Sequence, residues 1–372
     1  MDIAQRLKEA RQSVGLTLED VDQRTGIVTS SLSEFETGKR EPKISQLADL
    51  ARCYKRSLAF LLGDEEVLVS EVLWRLKPEA SVAQEQERRF LKLCEQYRHL
   101  ETWCDDFIEP RLPKVEGRHK PLDYCGAEDL AERVRRELNL GDRPAFVLLR
   151  SLENDCGIKI FHDDFEPTGT AACVNSPHLG MAILLNGRSS LERRNFDLAH
   201  ELFHLLVWDC YRSDKSESPI VAEETEEKLA GCFARSLLLP PDALRRAINR
   251  RLESGKLPVA ELPEVAQEFG VSLDALMWGI YMAFNLGEDR KDEIRQIIAA
   301  FRDENQSKKW QEQQAIPPKY PERYQALAIR ALNAGEMSVG KFMEYMEVSR
   351  RVAMSHLRQE EDTLGEVQLA AC

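Results

Sequence analysis

One stretch constrains this chain more than any other. It is NFDLAHELFHLLVW, Asn195 to Trp208, in which His200, Glu201 and His204 form the pattern H-E-x-x-H. Residues four apart on a helix share a face, because each advances about 100°. Both imidazoles can then reach one metal ion, with Glu201 beside them. Nitrogen donors, tetrahedral geometry and one position left for water suit zinc. Leu198, Ala199, Leu202, Phe203, Leu205, Leu206 and Val207 make the rest of the helix almost wholly apolar. Such a helix is buried, and the polar groups on it need partners. The alternative for the two histidines is a core helix in which hydrogen bonds satisfy them.

H-E-x-x-H is the signature of zinc metallopeptidases, with His200 and His204 as ligands and Glu201 as general base. A third ligand is expected from the helix Val221 to Leu239, which offers Glu223, Glu224, Glu226 and Glu227. Helical phase separates these acids. Ala230, Gly231, Ala234 and Leu238 lie near Glu227, whereas Leu229, Phe233 and Leu237 lie on the side of Glu226. Small side chains let two helices approach closely. The spacing therefore favours Glu227, keeps Glu223 in reserve, and reads the Glu226 face as core packing. Asp209 and Cys210 are the alternatives outside this helix. Tyr211 is a candidate oxyanion donor, and His162 and His178 fall on loops.

No apolar run approaches the ~20 residues that span a bilayer. The first residues, MDIAQRLKEARQS, read as a charged helix, not a signal peptide. Nine cysteines without a C-x-x-C pair fit reduced intracellular thiols. A cytoplasmic protein without a membrane segment is expected. Of the net charge of −13, residues 1–63 contribute +1 and residues 291–372 contribute −1, which leaves −13 on residues 64–290. An acidic metal domain would favour basic substrate segments; a surface charged for solubility is the alternative.

Residues 1–63 read as short helices. Thr17 is the N-cap of one helix and Gly26 its stop. A second runs from Thr29 to Phe35 and ends at Gly38. Ser45 caps a third, and Leu58 to Leu62 closes the bundle. Two helices around a tight glycine-containing turn describe a helix-turn-helix. Leu18, Val21, Gly26, Leu32, Ser33, Glu36, Gly38, Pro42, Leu47, Leu50 and Ala51 resemble the Xre/Cro repressor class. The resemblance implies that the helix from Thr29 enters the DNA major groove. Thr29, Ser30, Ser33 and Glu34 would then face base edges, and Lys39, Arg40 and Lys43 would approach phosphates. A bundle that binds protein or forms a homodimer is the other reading.

Val67 to Leu76 and Val82 to Phe107 read as helices, and prolines from Pro110 to Pro121 break the pattern. Helices at 127–140 and 144–154 follow, then a strand IKIF, then two strands, Thr170–Val174 and Met181–Asn186. The strand MAILLN precedes the metal helix and is either a sheet edge that takes a substrate peptide or a covered core strand. GMAILLN, RRNFDLAHELFHLL and EKLAGCFARSLLLP occur in that order. Together they resemble the ImmA/IrrE family of zinc endopeptidases over roughly residues 127–285. The matching residues are Asn186, Arg193 or Arg194, Phe196, Ala199, His200, Glu201, His204, Glu227, Ala230, Phe233, Ala234 and Pro240. Gly231 departs from the pattern, standing where that family usually has Asn. The resemblance implies Zn2+ held by His200, His204 and Glu227, and intracellular cleavage of one particular protein.

The expected fold is mostly α with a small β-sheet (α+β). It comprises a helix-turn-helix bundle at 1–66, a helical linker at 67–120, a zincin-like metallopeptidase domain at 121–290 and a helical C-terminal domain at 291–372. The last has three helices around Gly335 and Ser349. The expected partners are double-stranded DNA and a protein substrate such as a repressor with basic segments. Two other readings compete: a transcription regulator whose metal domain only senses a ligand, and an antitoxin or adaptor that binds protein alone.

Overall fold

A computed structural model of the chain describes residues 3–13, 16–54, 61–62, 72–75, 78–115, 122–167, 170–211, 223–252, 256–303 and 317–358. The first elements are α1 (Ile3–Ser13), α2 (Leu18–Thr25), α3 (Thr29–Glu36), α4 (Ile44–Cys53), β1 (Leu73–Trp74) and α5 (Ala80–Trp103). Next come α6 (Tyr124–Glu137), α7 (Leu148–Asn154), β2 (Lys159–Asp163), β3 (Ala171–Ser176), β4 (Gly180–Asn186), α8 (Leu191–Tyr211) and α9 (Glu223–Leu238). The rest are helical: α10 (Pro241–Asn249), α11 (Leu262–Phe269), α12 (Leu273–Ala283), α13 (Arg290–Asp303), α14 (Glu322–Asn333), α15 (Val339–Met346) and α16 (Arg350–Arg358). The fold is α+β, helical around one small mixed sheet. Among the described residues no helix is long and apolar enough to cross a membrane.

The chain divides into two compact units. One gathers Met1–Val69, Glu95–Phe107 and Glu322–Cys372, and the other Ser70–Cys94 and Ile108–Pro321. Residues 67–120 are thus divided between the units, and so are residues 291–372.

In the first unit, Thr17 caps α2 reciprocally. Its hydroxyl accepts from the Asp20 N–H at 3.1 Å, and the Asp20 carboxylate accepts from the Thr17 N–H at 2.8 Å. Gly26 ends α2 at φ 69°, a left-handed turn that favours glycine. Leu7, Ala10, Val21, Leu32, Phe35, Leu47 and Leu50 form the buried core. The Arg11 guanidinium donates to both Glu36 oxygens, at 2.6 and 2.8 Å, and ties α1 to α3. Ser45 is not the cap of α4. That helix begins at Ile44, and the Gln46 side chain accepts from the Lys43 N–H at 3.0 Å. Most of the expected Leu58–Leu62 helix lies outside the described residues.

The last nine residues of α5 pack on α14 and α15. The Tyr324 hydroxyl donates to Gln96 at 3.2 Å, His99 bonds the Tyr345 hydroxyl at 3.0 Å, and Trp103 stacks between the His99 and Tyr345 rings. Arg323 donates to Glu101 and Asp106, and Arg330 donates to Asp106.

The second unit holds the sheet, ordered β1-β3-β4-β2. β3 and β4 form an antiparallel hairpin, and β4 pairs parallel with β2. β4 is therefore an interior strand, which decides between the two readings of MAILLN for the covered core strand and against the sheet edge. Its Ala182–Leu185 run is apolar and fully buried, as a strand covered on both faces requires. β3 lies outside it, and β1 lies on β3, with Leu73 opposite Cys173 and Trp74 opposite Ala172. A strand thus replaces the end of the helix expected at Val67–Leu76. The unpaired edge of β3 supplies its partner, and the Arg75 N–H donates to the Ala171 carbonyl at 3.0 Å. Val67 to Glu71 lie outside the described residues.

Candidate metal centre

The strand-to-helix turn that delivers α8 is fixed by side chains. The Asn186 amide donates to the Phe165 carbonyl at 2.6 Å, and its oxygen accepts from the Arg188 N–H at 3.0 Å. Arg194 donates to the Ser189 carbonyl at 2.7 Å, and Ser190 accepts from the Arg193 N–H at 3.3 Å as α8 starts. From Leu198 to Val207 every residue of α8 is buried. Asn195 donates to the Gly270 carbonyl at 2.9 Å, which anchors the helix to the α11–α12 turn.

On that buried helix the His200 and His204 rings lie 5.0 Å apart, centroid to centroid. α9 crosses beside them on Ala230 and Ala234, both fully buried. Glu227 meets His200 Nε2 at 3.1 Å through one oxygen and His204 Nε2 at 3.2 Å through the other. The three potential donor atoms all lie within 4.8 Å of one another, and among the described residues this group is the one that could hold a metal ion. Two imidazole nitrogens and a carboxylate oxygen are a donor set of catalytic zinc sites, which leave a fourth position open. The Nδ1 atom of His200 is buried without a hydrogen-bond partner. Beside these three potential donors, Glu201 is fully buried, and neither of its oxygens has a well-formed hydrogen bond. These residues fit a metal ion better than a satisfied core helix, in which both groups would be paired.

The electrostatics follow from burial and from two carboxylates. Burial pushes Glu201 up to about 7, only partly offset by the charge of His204 and by the Cys173 thiol. Burial also pushes His200 down and keeps it neutral, with a lone pair available. His204 is equally buried, but Glu226 and Glu227 together outweigh that cost and raise its pKa. Burial works against the charge on Glu227 too, yet the two histidines bring it well below the usual carboxylate range.

Glu226 is a residue that sequence reasoning misplaced. It is not simply part of a packing face: it bonds His204 Nδ1 at 2.7 Å and is itself buried. Held there, it keeps a proton on Nδ1 and leaves Nε2 for a ligand bond. Leu229, Phe233 and Leu237 on the same side are buried core, as expected. Gly231 does not mediate the close approach of the helices, because a Cβ built there would meet nothing within 4 Å. Glu224 is exposed and pairs with Lys228 at 2.6 Å, away from the histidines. Cys210 donates to the Val115 carbonyl, and the Tyr211 hydroxyl accepts from the Leu122 N–H at 3.2 Å. Both side chains thus tie the end of α8 to the segment before α6. His162 is not a loop residue: it lies buried on β2, and that burial pushes it down to about 4.

Arg75 and Asp197 gave no sequence signal at all. Asp197 is fully buried one turn before His200 and pairs with Arg75 from beyond β1 and with Arg193 at 3.0 Å. The Arg75 guanidinium lies 5.1 Å over the Phe196 ring. Burial lowers its pKa to about 10, and its charge is felt at Glu201 and Glu227.

The residues expected to meet DNA lie together on the first unit. Ser30, Ser33, Glu34, Lys39, Arg40 and Lys43 are exposed and Thr29 is half-buried. Arg40 leans back to Glu34 at 3.8 Å, which leaves Lys39 and Lys43 as the freer cations.

Comparison with known proteins agrees with both halves of this picture. Residues 7–61 match a helix-turn-helix family, and residues 153–277 match the IrrE N-terminal-like domain of peptidase family M78. Over 67 residues the chain is 37% identical to the HTH-type transcriptional regulator ImmR of Bacillus subtilis (strain 168), a match covering 18% of this chain and 53% of that protein. Over 59 residues it is 36% identical to the uncharacterized HTH-type transcriptional regulator YobD of the same organism, covering 16% of this chain and 53% of that protein. The chain thus spans about half the length of these curated relatives. The chain therefore joins an N-terminal helix-turn-helix domain to an IrrE N-terminal-like domain of the M78 peptidase family.

Proposed function

We propose that this protein is a zinc-dependent endopeptidase carrying its own DNA-binding domain, and that it cleaves a specific protein such as a repressor. The observation that carries the reading is the convergence of His200, His204 and Glu227 beside a fully buried Glu201. The three would hold zinc, which when bound supplies Lewis acidity at the scissile carbonyl and lowers the pKa of water. Glu201 takes the proton from the attacking water and returns it to the leaving amine. A carboxylate lifted to about 7 by burial is suited to both transfers. Glu226 holds the His204 ring in register, and the buried wall of α8 excludes competing water. The name of ImmR supports a regulatory role for the helix-turn-helix part. We assign Thr29, Ser30, Ser33 and Glu34 to base edges, and Lys39, Arg40 and Lys43 to phosphates. An acidic middle of the chain favours a substrate with basic segments.

Glu201→Gln tests the reading. The variant should keep near-stoichiometric zinc and lose cleavage, because an amide cannot accept the proton. Proteomes of hosts expressing wild type or variant should differ by a fragment present only with wild type. Cleavage close to wild type by the variant would remove the general-base role. A phenotype that survives Glu201→Gln but not loss of the ligands would point to a sensor instead.

A further inference from the structure

Residues 322–358 repeat the geometry of the N-terminal helices at a constant step of 321 positions, from Thr17 to Ser338. At that step α15 begins where α2 does and α16 where α3 does, and α14 covers the place of α1 to within two residues at its start and one at its end. Both middle helices have eight residues and a hydroxyl N-cap. Thr17 accepts from the N–H of Asp20 at 3.1 Å, and Ser338 accepts from the N–H of Lys341 at 3.2 Å. Both end on a left-handed residue, Gly26 at φ 69° and Glu347 at φ 52°, whose N–H donates to the carbonyls of Asp22 and Met343. A three-residue turn then leads to Thr29 in one and Arg350 in the other. The next helices open on the same bonds: the Leu32 N–H donates to Val28 at 3.1 Å, and the Ala353 N–H donates to Ser349 at 3.0 Å.

The cores follow the same step. Leu7, Ala10, Leu16, Val21 and Leu32 correspond to Ala328, Ala331, Met337, Phe342 and Ala353, and all are buried. Of these pairs only Ala10 and Ala331 are identical. Glu347 adopts this left-handed turn although residues other than glycine rarely do. These caps, the turn length, the left-handed stop and the buried positions are shared with the N-terminal helix-turn-helix.

The two copies differ in what they expose. The positions of Thr29, Ser30, Ser33 and Glu34 are taken by Arg350, Arg351, Met354 and Ser355. Arg350, Arg351 and Ser355 are exposed, and neither arginine makes an ion pair among the described residues. α16, RRVAMSHLR, contains no acid, whereas α3, TSSLSEFE, contains two acids and no base. In a helix-turn-helix the first residues of the second helix face the groove and its phosphates. We propose that Val339–Arg358 is a second helix-turn-helix, and that Arg350 and Arg351 bind duplex DNA. The chain then carries two DNA-reading elements, and the C-terminal one supplies cationic contacts that α3 lacks.

The test uses the full chain and a labelled random-sequence duplex, with anisotropy read across a salt series. R350A/R351A should weaken binding at least tenfold near ~0.1 M salt and flatten the log–log salt slope by about two, one per phosphate contact. R350K/R351K, which keeps the charge, should restore most of the loss. Circular dichroism confirms that the variants are folded. K39A/R40A/K43A reports on the first helix-turn-helix separately. Wild-type affinity and slope in R350A/R351A overturn the proposal and assign the arginines to a partner other than DNA. Absence of duplex binding by wild type at low salt overturns it together with the N-terminal assignment. The catalytic reading is untouched by either result.

Discussion

His204 meets a carboxylate at each ring nitrogen, Glu226 at Nδ1 and Glu227 at Nε2. The two contacts have different consequences for a metal. Glu227→Gln removes a donor and should lose most bound zinc. Glu226→Gln keeps all three donors and loosens one ring, so zinc should remain but bind about 10–100-fold more weakly. Zinc stoichiometry and a competitive chelator titration separate the two. Zinc lost from Glu226→Gln and kept by Glu227→Gln would reverse the assignment. Asp197 is the other residue-scale test. It is fully buried between Arg75 and Arg193. Replacing it by Ala leaves Arg75, itself largely buried, without its partner, a loss of about 3–5 kcal/mol for a broken buried pair. Urea unfolding followed by the aromatic signal reads this directly, and a change below about 1 kcal/mol would show the pair to be replaceable.

Helix caps and ion-pair networks set stability at the scale of elements. Asp106, just beyond α5, accepts from Arg323 and Arg330 of α14. The hydrogen bond from Arg330, with Arg323 beside it, holds its carboxyl below the ordinary value. The folded pKa lies below the unfolded one, so the contribution is present above the unfolded pKa of about 4. It is lost as pH falls through the lowered folded value. The Tm of the first unit should therefore drop as pH goes from about 5 to 3. Asp106→Asn should flatten that drop while lowering the Tm at neutral pH. An identical acid transition in the variant would mean that other carboxylates control it. Thr17→Ala and Ser338→Ala each remove one hydroxyl cap and should each cost ~1 kcal/mol.

At the scale of the whole molecule, the chain returns to its beginning: Glu322–Cys372 belongs to the same compact unit as Met1–Val69. Tyr324, Tyr345 and Arg323 cover His99, Trp103 and Glu101 on the last turns of α5. A chain ending at residue 321 would expose that apolar face. It should bind a hydrophobic dye, and limited proteolysis should cut it between residues 95 and 107, where the full chain resists. Resistance in the shortened chain would mean that α5 is held by the N-terminal helices alone.

Local chemistry was legible in the residues themselves. H-E-x-x-H at four-residue spacing, Glu227 on the small-residue face of α9, the Thr17 cap and the Gly26 stop all act within a turn or two of helix. Periodicity and propensity report at that range. For the candidate group His200, His204 and Glu227, helical phase favoured Glu227 with Glu223 in reserve, and the family resemblance selected Glu227 independently. Glu226 was misread because phase marks a core-facing side, but not that His204 waits there with an unfilled nitrogen. Edge and covered strand stayed open for β4, because an apolar strand looks alike at the edge and in the middle of a sheet. Arg75 lies more than a hundred residues from Asp197 in sequence, and only the pairing of β1 with β3 brings its guanidinium beside α8. The repeat of α1–α3 in α14–α16 left almost no trace in residue identity. Its shared features are backbone dihedrals, cap bonds and burial, which many sequences satisfy and only a tertiary structure displays.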